Sequence, residues 1–254
     1  MPQERPTNLL LNGHHLLTVQ TTPRWLDDWA LGFLFSEGVV EGAEAVSSVQ
    51  AEPGPGAAVT VRVEAATSPR WKPHMARQRY ITSGCGKGVT FSSIRDALTL
   101  TPIAHRLSVE PEQLVRWQRR LEEGAELYRA TRGLHGAAVA HVDRDEVLVR
   151  EDIGRHNAVD KAVGAALRRG WDMSRCVLVT SGRISYEMCA KLGRAGIAVG
   201  ASRTAATDQA VRLAERLGIA LAGYLRSHGM VLYTDTAGHV AWRSHALSAR
   251  REAL

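Results

Sequence analysis

The chain has 254 residues, enough for one large domain or two small ones with a real core. Hydrophobic residues make up 44% and charged residues 23%, the balance of a globular protein rather than a disordered or fibrous one. A surplus of 32 basic over 26 acidic residues gives a net charge of +6, which favours anionic partners without choosing among them. Three widely spaced cysteines, an odd number, argue against a disulfide framework and fit a reducing compartment. The start, Met1 to Pro6, lacks the apolar core of a signal peptide, and no run approaches membrane-spanning length. A cytoplasmic protein with no membrane partner is the expectation.

Leu9-Leu10-Leu11-Asn12-Gly13 followed by Leu16 to Val19 predicts a hairpin turning at Asn-Gly or just after it. Thr22-Pro23 reads as a helix start, with threonine as cap, and Trp25, Leu26, Trp29, Phe33 and Leu34 fall at helical spacing as a core stripe. Gly38 closes that helix. Val46 to Val49 and Ala58 to Val63 alternate like strands on either side of a Pro/Gly turn. Thr82-Ser83-Gly84-Cys85-Gly86-Lys87-Gly88 then places one cysteine and one lysine among three glycines. Few neighbouring side chains can bury that sulfur, and Lys87 favours the thiolate, the nucleophilic form. An ordinary thiol in a turn is the competing reading.

A short helix is expected over Phe91 to Leu98, and Pro102 to Arg106 reads as a linker. Glu110-Pro111-Glu112 opens a long helix from Gln113 to Thr131, with Leu114, Trp117, Leu121, Leu127 and Tyr128 inward and Arg116, Arg119, Arg120, Glu122 and Glu123 as a solvated face. From there strands alternate with helices. Strands are expected over 137–140, 146–149, 176–179, 197–199, 219–224 and 230–233, and helices over 157–169, 185–195 and 208–217. This pattern implies a helix-covered, mixed, mostly parallel sheet. The chain accordingly reads as an α/β protein, with an N-terminal α+β region (1–108) carrying the cysteine loop and an α/β domain (109–254).

Ligands of such sheets bind beyond the carboxyl ends of the strands. Two strand ends carry similar equipment: Thr180-Ser181-Gly182-Arg183 and Ala201-Ser202-Arg203-Thr204 each offer a hydroxyl, an arginine and a following helix start, a set suited to anions or to plain helix capping. The densest polar stretch, Arg150 to Lys161, lies between a strand and a helix and reads either as a surface connector or as a site. His156 within it suits proton transfer or a structural hydrogen bond. A zinc deaminase needs His-x-Glu and a Cys-x-x-Cys; residue 137 is alanine and the chain has no Cys-x-x-Cys, so no metal is expected. Cys176 and Cys189 read as small buried hydrophobes.

Gly133 to Ala138, Arg150 to Lys161, Ser181 to Met188, Ala30 to Gly38, Ala201 to Thr204 and Gly223 to Arg226 together resemble the formate dehydrogenase accessory sulfurtransferases, the FdhD/NarQ family. The likeness runs from about Leu9 to Tyr233, and the twelve-residue block at Arg150 is highly specific. The resemblance implies a cytoplasmic homodimer with a cytidine-deaminase-like three-layer core that lacks zinc. It implies that sulfur comes from a cysteine desulfurase as a persulfide on Cys85, and passes to the molybdenum (or tungsten) bis-guanine-dinucleotide cofactor of formate dehydrogenase. Tyr224, Leu225, Arg226, Ser227, His228 and Gly229 match the segment that contacts the nucleotide part of that cofactor. Arg183, Ser202 and Arg203 suit its phosphates, while His135, Asp152, Arg155 and His156 either touch it or brace its loop. The second cysteine of the family loop is replaced by Gly88. That departure keeps open a non-covalent cofactor chaperone as the alternative. Nucleic-acid binding has only the net charge behind it and is not expected.

Overall fold

The computed structural model describes residues 1–71, 80–81, 89–90, 100–227, 229–241 and 248–250. Contacts divide the chain into two compact units, the first made of residues 1–98, 127–135 and 150–170, the second of 99–126, 136–149 and 171–254.

In the first unit, β1 (Arg5–Leu11) and β2 (His14–Thr21) form the expected hairpin. Asn12 and Gly13 take φ of 49° and 77°, the left-handed pair a tight hairpin turn demands. The Asn12 amide also clasps the Ala65 backbone, donating to its carbonyl at 3.0 Å and accepting from its N–H at 2.9 Å. After α1 (Leu26–Ser36) come β3 (Val46–Pro53) and β4 (Val59–Ala65), completing a four-stranded sheet of order β2-β1-β4-β3 in which β1 and β4 are parallel. Leu9, Leu17, Trp29, Leu34, Val61 and Val63 fill the core between α1 and the sheet. β5 (Tyr80–Ile81) and β6 (Val89–Thr90) pair antiparallel, and residues 82–88 between them lie outside the described residues, as does the helix expected over Phe91 to Leu98.

The helix start differs from the sequence expectation. Trp25, not Thr22, precedes α1, with left-handed backbone (φ 54°, ψ 42°) and no side-chain cap. Its ring is only part-buried and faces cations rather than core: the Arg24 and Arg150 guanidinium carbons sit 4.8 and 5.4 Å from its centroid. Thr22 is drawn away to a polar cluster described below.

The second unit opens on α2 (Pro111–Gly124), started by a Glu110/Gln113 capping box. The long helix expected to reach Thr131 ends here; α3 (Glu126–Thr131) is separate. The Glu151 carboxylate accepts from the Leu127 and Tyr128 N–H groups at 2.9 and 2.7 Å, capping α3 as a new helix. Tyr128, expected inward, is 40% exposed.

Then follow, in chain order, β7 (His135–His141), β8 (Val147–Asp152), α4 (Arg155–Arg168), β9 (Cys176–Thr180), α5 (Tyr186–Ala195), β10 (Val199–Ser202), α6 (Asp208–Leu217), β11 (Ala220–Arg226), β12 (Gly229–Thr234) and β13 (Ser248–Arg250); α4, like residues 127–131 of α3, belongs to the first unit. The larger sheet has order β13-β12-β11-β10-β9-β7-β8. It is more mixed than expected: β9-β10-β11 and β12-β13 run parallel, but β7 pairs β9 antiparallel and β12 folds straight back on β11, a link too short for anything but antiparallel pairing. Val177, Val179, Val199 and Ala201 face Leu114, Trp117 and Leu121 of α2. A β-carbon on Gly200 would meet Leu192 of α5 and Ile184 on the opposite face, so helices cover both sides of the parallel block.

Candidate functional site

Within the second unit, the carboxyl ends of β9, β10 and β11 lie side by side, with Ser202 in register with Thr180. The hydroxyls there are spent on holding the loops. Ser202, fully buried, donates to the Gly182 carbonyl at 2.8 Å and accepts from the Thr204 N–H at 2.9 Å. The Gly182 N–H donates to the Thr180 hydroxyl, and Gly136 and Ser181 exchange two bonds. The helices begin where the sequence places them, after Ser185 and Thr207, a short way beyond Arg183 and Arg203. Arg183 is exposed.

Tyr224 takes φ 49° at 50% exposure, an uncommon conformation for a bulky residue, and its N–H donates to the Thr204 carbonyl at 2.9 Å. Gly223 makes this approach possible, since a β-carbon there would lie 2.7 Å from that same carbonyl oxygen. The bulge turns residues 225–227 into a cavity of about 220 Å³, walled on one side by Val115, Gln118, Arg119 and Glu122 of α2 and on the other by Arg203. Arg203 forms an ion pair with Glu122, and Arg226 Nη1 donates to the Arg203 and Leu225 carbonyls at 2.7 and 2.9 Å. Four expected residues, Arg203, Leu225, Arg226 and Ser227, therefore share one cavity; Gly229 lies just beyond it and His228 is outside the described residues. Glu122 was read as part of a solvated helix face and Gln118 was not singled out; their i, i+4 spacing was the one sign that they act together.

Residues 150–161 belong to the first unit and form neither a surface connector nor an open site. Asp152 and Lys161 are both 0% exposed. The Asp152 carboxylate accepts from Lys161 Nζ at 2.6 Å, from the Thr22 and Gly154 N–H groups at 3.0 and 2.8 Å, and from Asn157 Nδ2 at 3.0 Å. Lys161 also donates to the Thr22 and Glu151 carbonyls at 2.9 and 3.3 Å. All three ammonium hydrogens and four carboxylate acceptor positions are thus used, which makes the pair a brace. Burial lowers the Lys161 pKa from its ordinary value, and the Asp152 charge works against that shift. Thr22 was read from the sequence only as a helix cap, and Lys161 only as the end of the polar block. Arg155 is buried at the start of α4 and His156 is part-buried beside it.

His135, half-buried where β7 begins, has its pKa lowered by burial and then by Arg155, with Asp152 acting in the opposite direction. The folded protein therefore resists a proton that the unfolded chain accepts near pH 6.5, so stability should rise with pH through this window and fall as pH drops below about 6.5. Urea unfolding at pH 5.5 and 7.5 should show a smaller pH difference for His135→Gln than for the parent chain.

Of the three cysteines, Cys176 and Cys189 are buried, and burial pushes both thiols up to about 12. Cys85 lies outside the described residues. Among the described residues, no three of His, Cys, Asp and Glu are grouped as metal ligands, and no helix is long and apolar enough to cross a membrane.

The profile of the FdhD/NarQ family matches residues 2–239. The chain is 34% identical over 237 residues to the sulfur carrier protein FdhD of Shouchella clausii, covering 91% of this chain and 86% of that protein. The corresponding proteins of Geobacillus kaustophilus and Bacillus subtilis are 35% and 31% identical, each over about nine-tenths of this chain and 86% and 88% of their own. A crystal structure described as a formate dehydrogenase accessory protein from Desulfotalea psychrophila shares the fold, with a TM-score of 0.70 at 22% identity over 94% of this chain and 89% of that one.

Proposed function

Since the chain belongs to the FdhD/NarQ family, we propose that it takes sulfur from a cysteine desulfurase as a persulfide on Cys85 and delivers it to the molybdenum (or tungsten) bis-guanine-dinucleotide cofactor of a formate dehydrogenase. One observation carries the assignment of the sulfur: two of the three cysteines are buried with thiols raised to about 12, which leaves Cys85, with Lys87 two residues away. The transfer is a thiolate exchange. The Cys85 thiolate attacks the outer sulfur of the desulfurase persulfide, the new S–S bond forms as the old one breaks, and the desulfurase leaves as its own thiolate. No net oxidant is needed. With Gly88 in place of a second loop cysteine, no neighbouring thiol can resolve the persulfide into a loop disulfide, so it is held until the acceptor arrives.

The cavity between α2 and residues 225–227 supports the cargo end of this reading, because three arginines, Arg119, Arg203 and Arg226, line it and suit a ligand bearing phosphates. The same reading carries a cytoplasmic homodimer and a core related to the cytidine deaminases without their zinc.

The test is intact-protein mass spectrometry after incubation with a cysteine desulfurase, cysteine and a trace of reductant. A gain of one sulfur that Cys85→Ala abolishes is the expected result. A folded protein that gains no sulfur yet still binds a guanine nucleotide would replace the carrier by the non-covalent chaperone.

A further inference from the structure

The turn between β1 and β2 joins a chemically labile dipeptide to a side chain that is tied down. Leu11 pairs with His14, so Asn12 and Gly13 alone make the turn, and both are exposed. In an Asn-Gly pair no side chain shields the glycine nitrogen, which can attack the neighbouring carboxamide carbon once the backbone turns toward it. Here the carboxamide is held at both ends. Its Nδ2 donates to the Ala65 carbonyl at 3.0 Å, and its Oδ1 accepts from the Ala65 N–H at 2.9 Å. The Asn12 N–H adds a bond to the Val63 carbonyl at 2.9 Å. To swing onto the Gly13 nitrogen, the carboxamide must first leave both of its partners on Ala65.

We propose that Asn12 is a guarded deamidation site: the clasp on Ala65 keeps its side chain unreactive while the turn is closed, and loss of the amide releases the turn from β4 irreversibly. The Gly13 nitrogen attacks Asn12 Cγ, the new N–C bond forms as the Cγ–Nδ2 bond breaks, and ammonia leaves with the proton that the Gly13 nitrogen gives up. Water then opens the cyclic imide at either carbonyl, giving aspartate or isoaspartate. One water is consumed, one ammonia is released, and no electrons change hands. Neither product rebuilds the clasp. An aspartate carboxylate still accepts from the Ala65 N–H, but it has no hydrogen for the Ala65 carbonyl, so two oxygens are left facing each other. Isoaspartate adds a main-chain methylene to a turn whose register admits two residues. Both changes act where β1 and β4 end their parallel pairing, at Leu11 and Val63.

Peptide mapping by mass spectrometry of the full chain, aged at mildly alkaline pH either folded or unfolded in guanidinium, tests this. Amide loss at Asn12 should be about tenfold or more slower in the folded chain, since the reactive form needs two hydrogen bonds to open. Ala65→Pro removes the N–H that holds Oδ1 and should speed the reaction in the folded state severalfold. Asn12→Asp, which installs one product directly, should raise hydrogen exchange of the β4 peptide about tenfold. Equal rates in the folded and unfolded parent would overturn the guard, as would a folded Ala65→Pro that reacts no faster than the parent. Should Ala65→Pro fail to fold, the folded-to-unfolded ratio of the parent decides alone. Unchanged exchange in Asn12→Asp would overturn the release.

Discussion

Lys161→Met is expected to lower the free energy of unfolding by about 3–5 kcal/mol, the range for removing one partner of a buried ion pair. The ammonium lies in a site with no exposure, 2.6 Å from an equally buried carboxylate, and also satisfies the carbonyls of Thr22 and Glu151. Methionine fills most of the volume but leaves the Asp152 charge without its counter-ion and two carbonyls without a donor. Adding Asp152→Asn should recover part of the loss. The amide carbonyl oxygen can still accept from the Gly154 or Thr22 N–H, and no net charge remains buried. Guanidinium unfolding of the parent, both single variants and the double variant gives the coupling energy directly. A loss below about 1 kcal/mol for Lys161→Met would show that water or movement relieves Asp152, and that the block is not a structural brace.

That brace marks where reading the sequence reached its limit. Local chemistry was legible wherever one or two residues decide a backbone: the Asn12-Gly13 turn, and α6 from Asp208 to Leu217, which Thr207 caps with its side chain and Gly218 ends at φ 69°. Thr22-Pro23 carried an equally good capping signal and failed, because the Thr22 N–H and hydroxyl bond Asp152 and Ile153, about 130 residues later. No spacing rule reports such a partner. The same distance hid the meaning of Arg150 to Lys161. A run of charges usually means water, yet here Asp152, Asp160 and Lys161 are buried. The break between α2 and α3 has a similar cause, since the capping Glu151 lies on β8. For the candidate cavity, Arg203 was found because its place at a strand end of the α/β pattern is general, and residues 225–227 only through the family resemblance, whereas the α2 wall was not found, because a helix facing a ligand carries the same polar stripe as one facing solvent.

Gly164→Ala should be nearly as damaging as loss of the brace, at about 3 kcal/mol or more, although alanine is the better helix former by about 1 kcal/mol. The reason is geometric. On α4, a β-carbon at Gly164 would lie 2.8 Å from the Gly32 nitrogen of α1 and closer still to the Asp28 carbonyl oxygen. The reciprocal β-carbon at Gly32 would lie 2.8 Å from the Gly164 nitrogen and overlap the Asp160 carbonyl. The two helices touch backbone to backbone through paired glycines, and main-chain atoms cannot rotate out of the way as a side-chain tip can. Any shift would also strain the ion pairs at the crossing, where Asp28 receives Arg150 Nε at 2.7 Å and Arg168 Nη1 at 3.1 Å. Gly193→Ala on α5 is the control. Its β-carbon would meet Leu217 Cδ1 at 2.7 Å, the far end of a flexible side chain rather than main chain, so a smaller loss, about 1 kcal/mol, is expected. Equal losses at Gly164 and Gly193 in chemical unfolding would mean that α1 and α4 can separate at little cost, and that the glycine crossing is not what fixes their spacing.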